Sequence, residues 1–236
     1  MSQVVRFLKG SDGSKIVLPL TIAYFLIGFV EIIAESNADI SLIKLTKPLL
    51  MPLLIFIYWY SSKKKDLLFV LVLLSVWCAN VCLISKTNSL IVAGAICILI
   101  NRILTLYAVA RIIKFPGYMP MLLGSLPFLF LYLYIVNLTY NELREGFILF
   151  VLQGIFLILF GGFCLGNYIM KSNLPNTFLL ISTLLFTAAQ FLLSMKLLYE
   201  PYAIFQPVSI LFFVIGQYLL CRFVLFEERR KRRLLK

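Results

Sequence analysis

GFILFVLQGIFLILFGGFCLGNYIM, residues 146–170, carries no charged side chain across 25 positions. At the helical rise such a run reaches about 37 Å, enough to cross the ~30 Å hydrocarbon layer of a bilayer. A barrel strand would be shorter and would alternate polar with apolar residues. Backbone polar groups inside lipid need internal partners, so an unbroken apolar run of this length reads as a membrane-spanning helix.

Working outward, seven further runs are predominantly apolar and of spanning length: Ile16–Ala34, Leu42–Tyr60, Leu67–Ile84, Asn88–Ile113, Met119–Val136, Thr177–Leu198 and Ala203–Phe226. The whole chain of 236 residues is 62% apolar and 14% charged, with a mean hydropathy of +1.00. A soluble domain is about 45–50% apolar. The excess must face lipid. The expected fold is therefore an all-α integral membrane protein with about eight transmembrane helices. No linker is long enough to divide it, so residues 1–236 form a single polytopic domain ending in a basic cytoplasmic tail, 227–236.

Charge placement orients the spans. With the N-terminus inside and eight crossings, sixteen of the 22 basic residues fall on the inner side. They include Arg6, Lys9 and Lys15, the Lys63-Lys64-Lys65 run, Arg111 and Lys114, Lys171, and the cluster after Phe226. The outer loops hold Lys86, Arg144 and Lys196, and the first outer turn is acidic, with Glu35 and Asp39. This satisfies the positive-inside rule and puts both termini in the cytoplasm of a plasma or inner membrane. The first run follows basic residues as a signal peptide would, but no small-residue cleavage site follows it, so it reads as a retained span.

The net charge of +12 would suggest nucleic acid in a soluble protein. Here the basic residues sit in short patches at span ends, where they set topology and meet anionic lipid heads, and no nucleic-acid motif is present. The chain has no histidine, and none of its five cysteines forms a CxxC pair. A histidine-containing zinc site and a histidine-dependent nucleophile triad are both excluded. No cofactor is expected.

Function in such a chain is sought where polar groups are buried at a cost. Glu31 lies near the outer end of span one and Lys47 one to two turns into span two, so the two are expected to meet as a pair. Lys44, Arg102 and Asn167 lie close enough to span ends to snorkel towards water. Asn80 and Gln190 both follow an alanine, in the outer-to-middle part of spans three and seven. That placement is compatible with a four-plus-four pseudo-repeat. Amides can glue helices together by hydrogen bonds, at about 0.6–2 kcal/mol, but neither can act as a general acid or base at neutral pH.

The order of these features resembles the YhhN-like lysoplasmalogenase family. The resemblance rests on Glu31 late in span one, Thr46-Lys47-Pro48-Leu49-Leu50-Met51 opening span two, the sites around Asn80 and Gln190, and Gly216-Gln217 in span eight. It implies an eight-span protein that cleaves the vinyl-ether bond of lysoplasmalogens. The family pattern has Gly-Asp in span three and Ser-Asp in span seven, where this chain has Ala79-Asn80 and Ala189-Gln190. The family's His-x-x-Tyr of span four is also missing, Asn101 and Tyr107 being nearest.

What the resemblance implies, with these departures, is a lipid cavity among Glu31, Lys47, Asn80, Gln190 and Gln217 that is catalytically silent or altered. Glu31 is the one candidate acid or base inside the spans. Membrane lipids, a lysophospholipid among them, are the expected partners. An active lysoplasmalogenase, a non-enzymatic subunit of a membrane complex and a small transporter remain the alternatives. Pro48 and Pro52 have no clear counterpart in span six, which weakens the transporter reading.

Overall fold

The computed structural model describes residues 14–85, 87–139, 147–198 and 204–234. Arg6, Lys9, Lys86, Arg144 and the Glu200-Pro201-Tyr202 stretch lie outside the described residues. Eight helices follow one another among the described residues: α1 (Ser14–Ser36), α2 (Ile40–Ser61), α3 (Leu67–Cys82), α4 (Asn88–Ile112), α5 (Tyr118–Thr139), α6 (Phe147–Met170), α7 (Leu174–Leu198) and α8 (Phe205–Leu234). Seven are long and apolar enough to cross a membrane. The exception is α3, expected to run to Ile84. It stops at Cys82 after 16 residues, because Leu83 and Ile84 close a turn. That leaves it about 24 Å long.

Short polar caps start three of the helices. Asp39 accepts hydrogen bonds from the backbone N–H groups of Ser41 and Leu42 at the head of α2, and Asp66 accepts one from Leu68 at the head of α3. Asn173 accepts from the Asn176 N–H at 2.9 Å and so caps α7. Each cap satisfies an amide left without a helical partner. The large side chains pointing away from the bundle are apolar: Phe29 is 62% exposed, Phe130 69% and Ile148 77%. Such an exterior suits lipid and not water.

Consecutive helices pair as hairpins, α1–α2, α3–α4, α5–α6 and α7–α8. The packing repeats with a shift of four helices. α2 packs on α3 as α6 does on α7, and α4 meets α6 as α8 meets α2. The repeat breaks where α8 also packs against α1 and where α5 reaches α7. The contacts thus follow a four-plus-four pattern only in part, and α8 packs on α1 and α2 of the first half. Tyr24 of α1, fully buried, donates from its hydroxyl to the Val214 carbonyl of α8 at 2.9 Å. Leu50, Leu54, Tyr58, Leu73 and Phe223 fill the core between α2, α3 and α8.

The α5–α6 hairpin is drawn together by glycines. A Cβ on Gly124 would lie 2.8 Å from the Gly162 carbonyl oxygen and 2.9 Å from the Gly166 nitrogen. Gly162 and Gly166 are four residues apart, the spacing that lets two membrane helices bring their backbones into contact.

α2 stays helical through Pro48 and Pro52. Pro52 has no N–H, so the carbonyl of Pro48 loses its helical donor. The Trp77 indole of α3 takes that place, donating to the Pro48 oxygen at 2.9 Å.

α8 does not end in a free basic tail. It continues through the basic segment to Leu234 among the described residues. Glu228 accepts hydrogen bonds from the Ser62 hydroxyl at 2.7 Å and the Lys63 and Lys64 N–H groups at 3.0 and 2.9 Å, and it pairs with Arg232 at 3.2 Å. The α2–α3 turn is thereby tied to α8.

Candidate functional site

A cavity of about 450 Å³ lies inside the bundle, lined by α1, α2, α3, α4, α6, α7 and α8. Its lining runs from Ala38, Ile40 and Ser85, at the end carrying the α1–α2 and α3–α4 turns, inward to Thr105 and Leu220. Along α8 the lining extends from Gln206 to Leu220, about 21 Å of helical rise. The walls are largely apolar, with Leu50, Val76, Phe160, Phe186, Ile210 and Phe213 among them.

All five residues singled out in the sequence, Glu31, Lys47, Asn80, Gln190 and Gln217, line this one cavity. They come from α1, α2, α3, α7 and α8, and a continuous bundle brings them together.

The charged cluster differs from the expected pair. Lys47 Nζ lies 2.7 Å from Glu35 Oε1 and 3.8 Å from Glu31 Oε1. Its near partner is thus Glu35, which the sequence reading left in the outer turn. α1 runs on to Ser36, and four residues of helix put Glu35 on the same face as Glu31, one turn further out. Gln206 Nε2 of α8 adds a contact to Glu35 Oε1 at 3.4 Å. Glu31 is fully buried and accepts a hydrogen bond from the Thr46 hydroxyl. Its Oε1 has no hydrogen-bond partner among the described residues and faces the Lys47 ammonium. Glu31 is therefore not alone as an acidic group at the site.

A second polar group lies on the wall formed by α4 and α7. Arg102, expected to snorkel, turns into the cavity instead, and its Nη2 donates to Gln190 Oε1 at 3.4 Å. Gln217 is 4% exposed, and its Oε1 is buried with no hydrogen-bond partner among the described residues. Asn80 lines the α3 wall, half-buried. Asn101 braces α4 against α3 by donating to the Val72 carbonyl at 2.9 Å and to the Ser75 hydroxyl at 3.1 Å. Tyr107 is 57% exposed on the outside of the bundle, so Asn101 and Tyr107 do not form a common site. Asn167 bonds within α6 and to Asn176, a structural role.

Sequence reasoning missed Glu35, Arg102 and Thr46. The four-residue spacing of Glu31 and Glu35 was a usable signal for the first, because such residues share a helix face. Arg102 gave none, since the direction an isolated arginine takes depends on which neighbours surround its helix.

Chemically the cavity offers two carboxylates, Glu31 and Glu35, two ammoniums, Lys47 and Lys196, amides on α3, α4, α7 and α8, and one guanidinium deeper in. Among the described residues no group of three His, Cys, Asp or Glu side chains could hold a metal ion.

An apolar exterior, eight antiparallel helices and a polar-edged interior cavity define a polytopic helical membrane protein. The chain belongs to the YhhN family, whose sequence profile matches residues 42–224. No curated protein and no solved structure matches it.

Proposed function

We propose that this protein holds a single-chain amphipathic lipid, of the lysophospholipid class, in the interior cavity and is silent or altered as a lysoplasmalogenase. The cavity carries the reading. At about 450 Å³, with apolar walls and a few convergent polar groups, it has the size and character of a small-molecule site. Membership of the YhhN family supports the lipid class, given the family's resemblance to lysoplasmalogenases. Both termini are read as cytoplasmic, which opens the cavity towards the outer leaflet.

Vinyl-ether hydrolysis puts a proton on the alkene carbon, adds water to the resulting cation and collapses the hemiacetal to an aldehyde and a free glycerol hydroxyl. General acid–base help contributes about 10²–10⁴-fold to such steps. Asn80 and Gln190 stand where the family pattern carries aspartates, and an amide can neither give nor take the proton at neutral pH.

The test is direct. Lysophosphatidylcholine should raise the melting temperature of the purified protein, while a lysoplasmalogen should release no measurable aldehyde. Asn80→Asp combined with Gln190→Asp is the change expected to create release. A second reading, an active hydrolase, is favoured by one observation: Glu31 and Glu35 line the same cavity. Aldehyde release by the unmodified protein, lost in Glu31→Gln or Glu35→Gln, would establish that reading. Release that survives both changes would put the chemistry outside this cavity.

A further inference from the structure

Arg102 is a charge inside the bundle that the protein does not neutralise. Among the described residues its guanidinium makes no ion pair, and its hydrogen bond goes to the neutral Gln190 amide at 3.4 Å, at the long end of the hydrogen-bond range. The carboxylates that line the same cavity, Glu31 and Glu35, face Lys47 instead. Arg102 lies fourteen positions beyond the first residue of α4, which puts its Cα about 21 Å along that helix. An ionised side chain at such depth is costly unless a counter-ion or water meets it, and intramembrane charges of this kind mark binding sites and pathways.

We propose that Arg102, steadied by Gln190, is an oxyanion subsite of the cavity and takes the phosphate or carboxylate of a bound single-chain amphiphile. Arginine suits the task. Its planar fork donates two parallel hydrogen bonds to such a group, and it holds its charge where a lysine would surrender it. The wall beside it carries amides, hydroxyls and apolar groups and no carboxylate, so no anionic side chain there competes for the guanidinium. The end of the cavity that carries the α1–α2 turn holds two carboxylates, Glu31 and Glu35, and two ammoniums, Lys47 and Lys196, so it has no net formal charge, whereas Arg102 makes no ion pair among the described residues. The inference rests on the reading of the cavity as an amphiphile site.

The experiment uses the full chain in detergent and three probes of equal chain length: lysophosphatidylcholine, a fatty acid and an uncharged monoacylglycerol. Arg102→Gln should weaken binding of at least one oxyanion probe tenfold or more and leave monoacylglycerol binding within twofold. The probe that loses more identifies the source of the oxyanion, phosphate head or carboxylate. Arg102→Lys should recover part of the loss. If Arg102→Gln does not fold, Gln190→Glu carries the same test, because it sets an internal carboxylate against the guanidinium and must weaken oxyanion binding as well. Unchanged oxyanion binding in the variants, or an equal loss for the monoacylglycerol, overturns the subsite while the cavity reading stands. Failure of all three probes to bind removes the cavity reading, and the subsite with it.

Discussion

Lys47 reaches across the α1–α2 interface to Glu35, with 2.7 Å between Nζ and Oε1, and passes Glu31 at 3.8 Å. All three side chains are shielded, with 14%, 11% and 1% exposure for Lys47, Glu35 and Glu31. Removing one member of a buried pair leaves a charge uncompensated, which costs about 3–5 kcal/mol. Coupling between groups in contact is typically about 0.5–3 kcal/mol. A double-mutant cycle of Lys47→Met with Glu35→Gln should therefore show a coupling above ~1 kcal/mol, larger than the cycle with Glu31→Gln. Stability in detergent is the measurement, and additive losses for the Glu35 cycle would contradict the geometry.

The indole of Trp77 stands in for the amide that Pro52 lacks. Trp77→Phe should destabilise the protein by about 1–3 kcal/mol, because it leaves the Pro48 carbonyl unsatisfied between helices. Pro52→Ala restores a backbone N–H, so it should remove most of the hydrogen-bond part of that loss in the double variant. A double variant no more stable than Trp77→Phe alone would show that packing of the indole, not its hydrogen bond, is what matters.

Glu228 gathers the α2–α3 turn through one hydroxyl and two backbone N–H groups. Hydrogen bonds to a carboxylate are stronger than neutral ones, at about 1.5–3 kcal/mol. Glu228→Ala should release the turn. The expected readout is faster amide hydrogen exchange at Lys63 and Lys64, with little change in the middle of α2. Exchange unchanged at those two amides would mean that Ser62 and the turn's own backbone hold it.

The charge pattern predicts an orientation with Lys64 inside and Asn37 outside, two exposed positions at opposite ends of the bundle. In a background without reactive native thiols, Asn37→Cys should be labelled by an impermeant thiol reagent in intact cells. Lys64→Cys should be labelled only after the membrane is opened. The reverse pattern would invert the protein and turn the cavity mouth to the cytoplasm.

The sequence by itself determined that this is a bundle of membrane helices. Runs such as residues 146–170 leave the backbone one way to satisfy its hydrogen bonds in lipid, and that constraint acts locally, so it is legible one run at a time. Cost also made the polar positions legible: Glu31, Lys47, Asn80, Gln190 and Gln217 stand out against apolar surroundings wherever they point. Their partners were a tertiary matter. Which carboxylate Lys47 takes depends on how far α1 extends and how α2 crosses it. Whether Arg102 snorkels or turns inward depends on the faces that α4 and α7 present to each other. The proline carbonyl that Trp77 rescues is visible in sequence as a defect, but its donor comes from another helix, 29 residues away. The glycine contact of α5 and α6 has the same character: the spacing of Gly162 and Gly166 permits a close approach, and only the packed bundle supplies Gly124 to make it. Hydrophobic length is a property of a segment, whereas pairing inside lipid is decided by side chains that meet across helices, and that requires the fold.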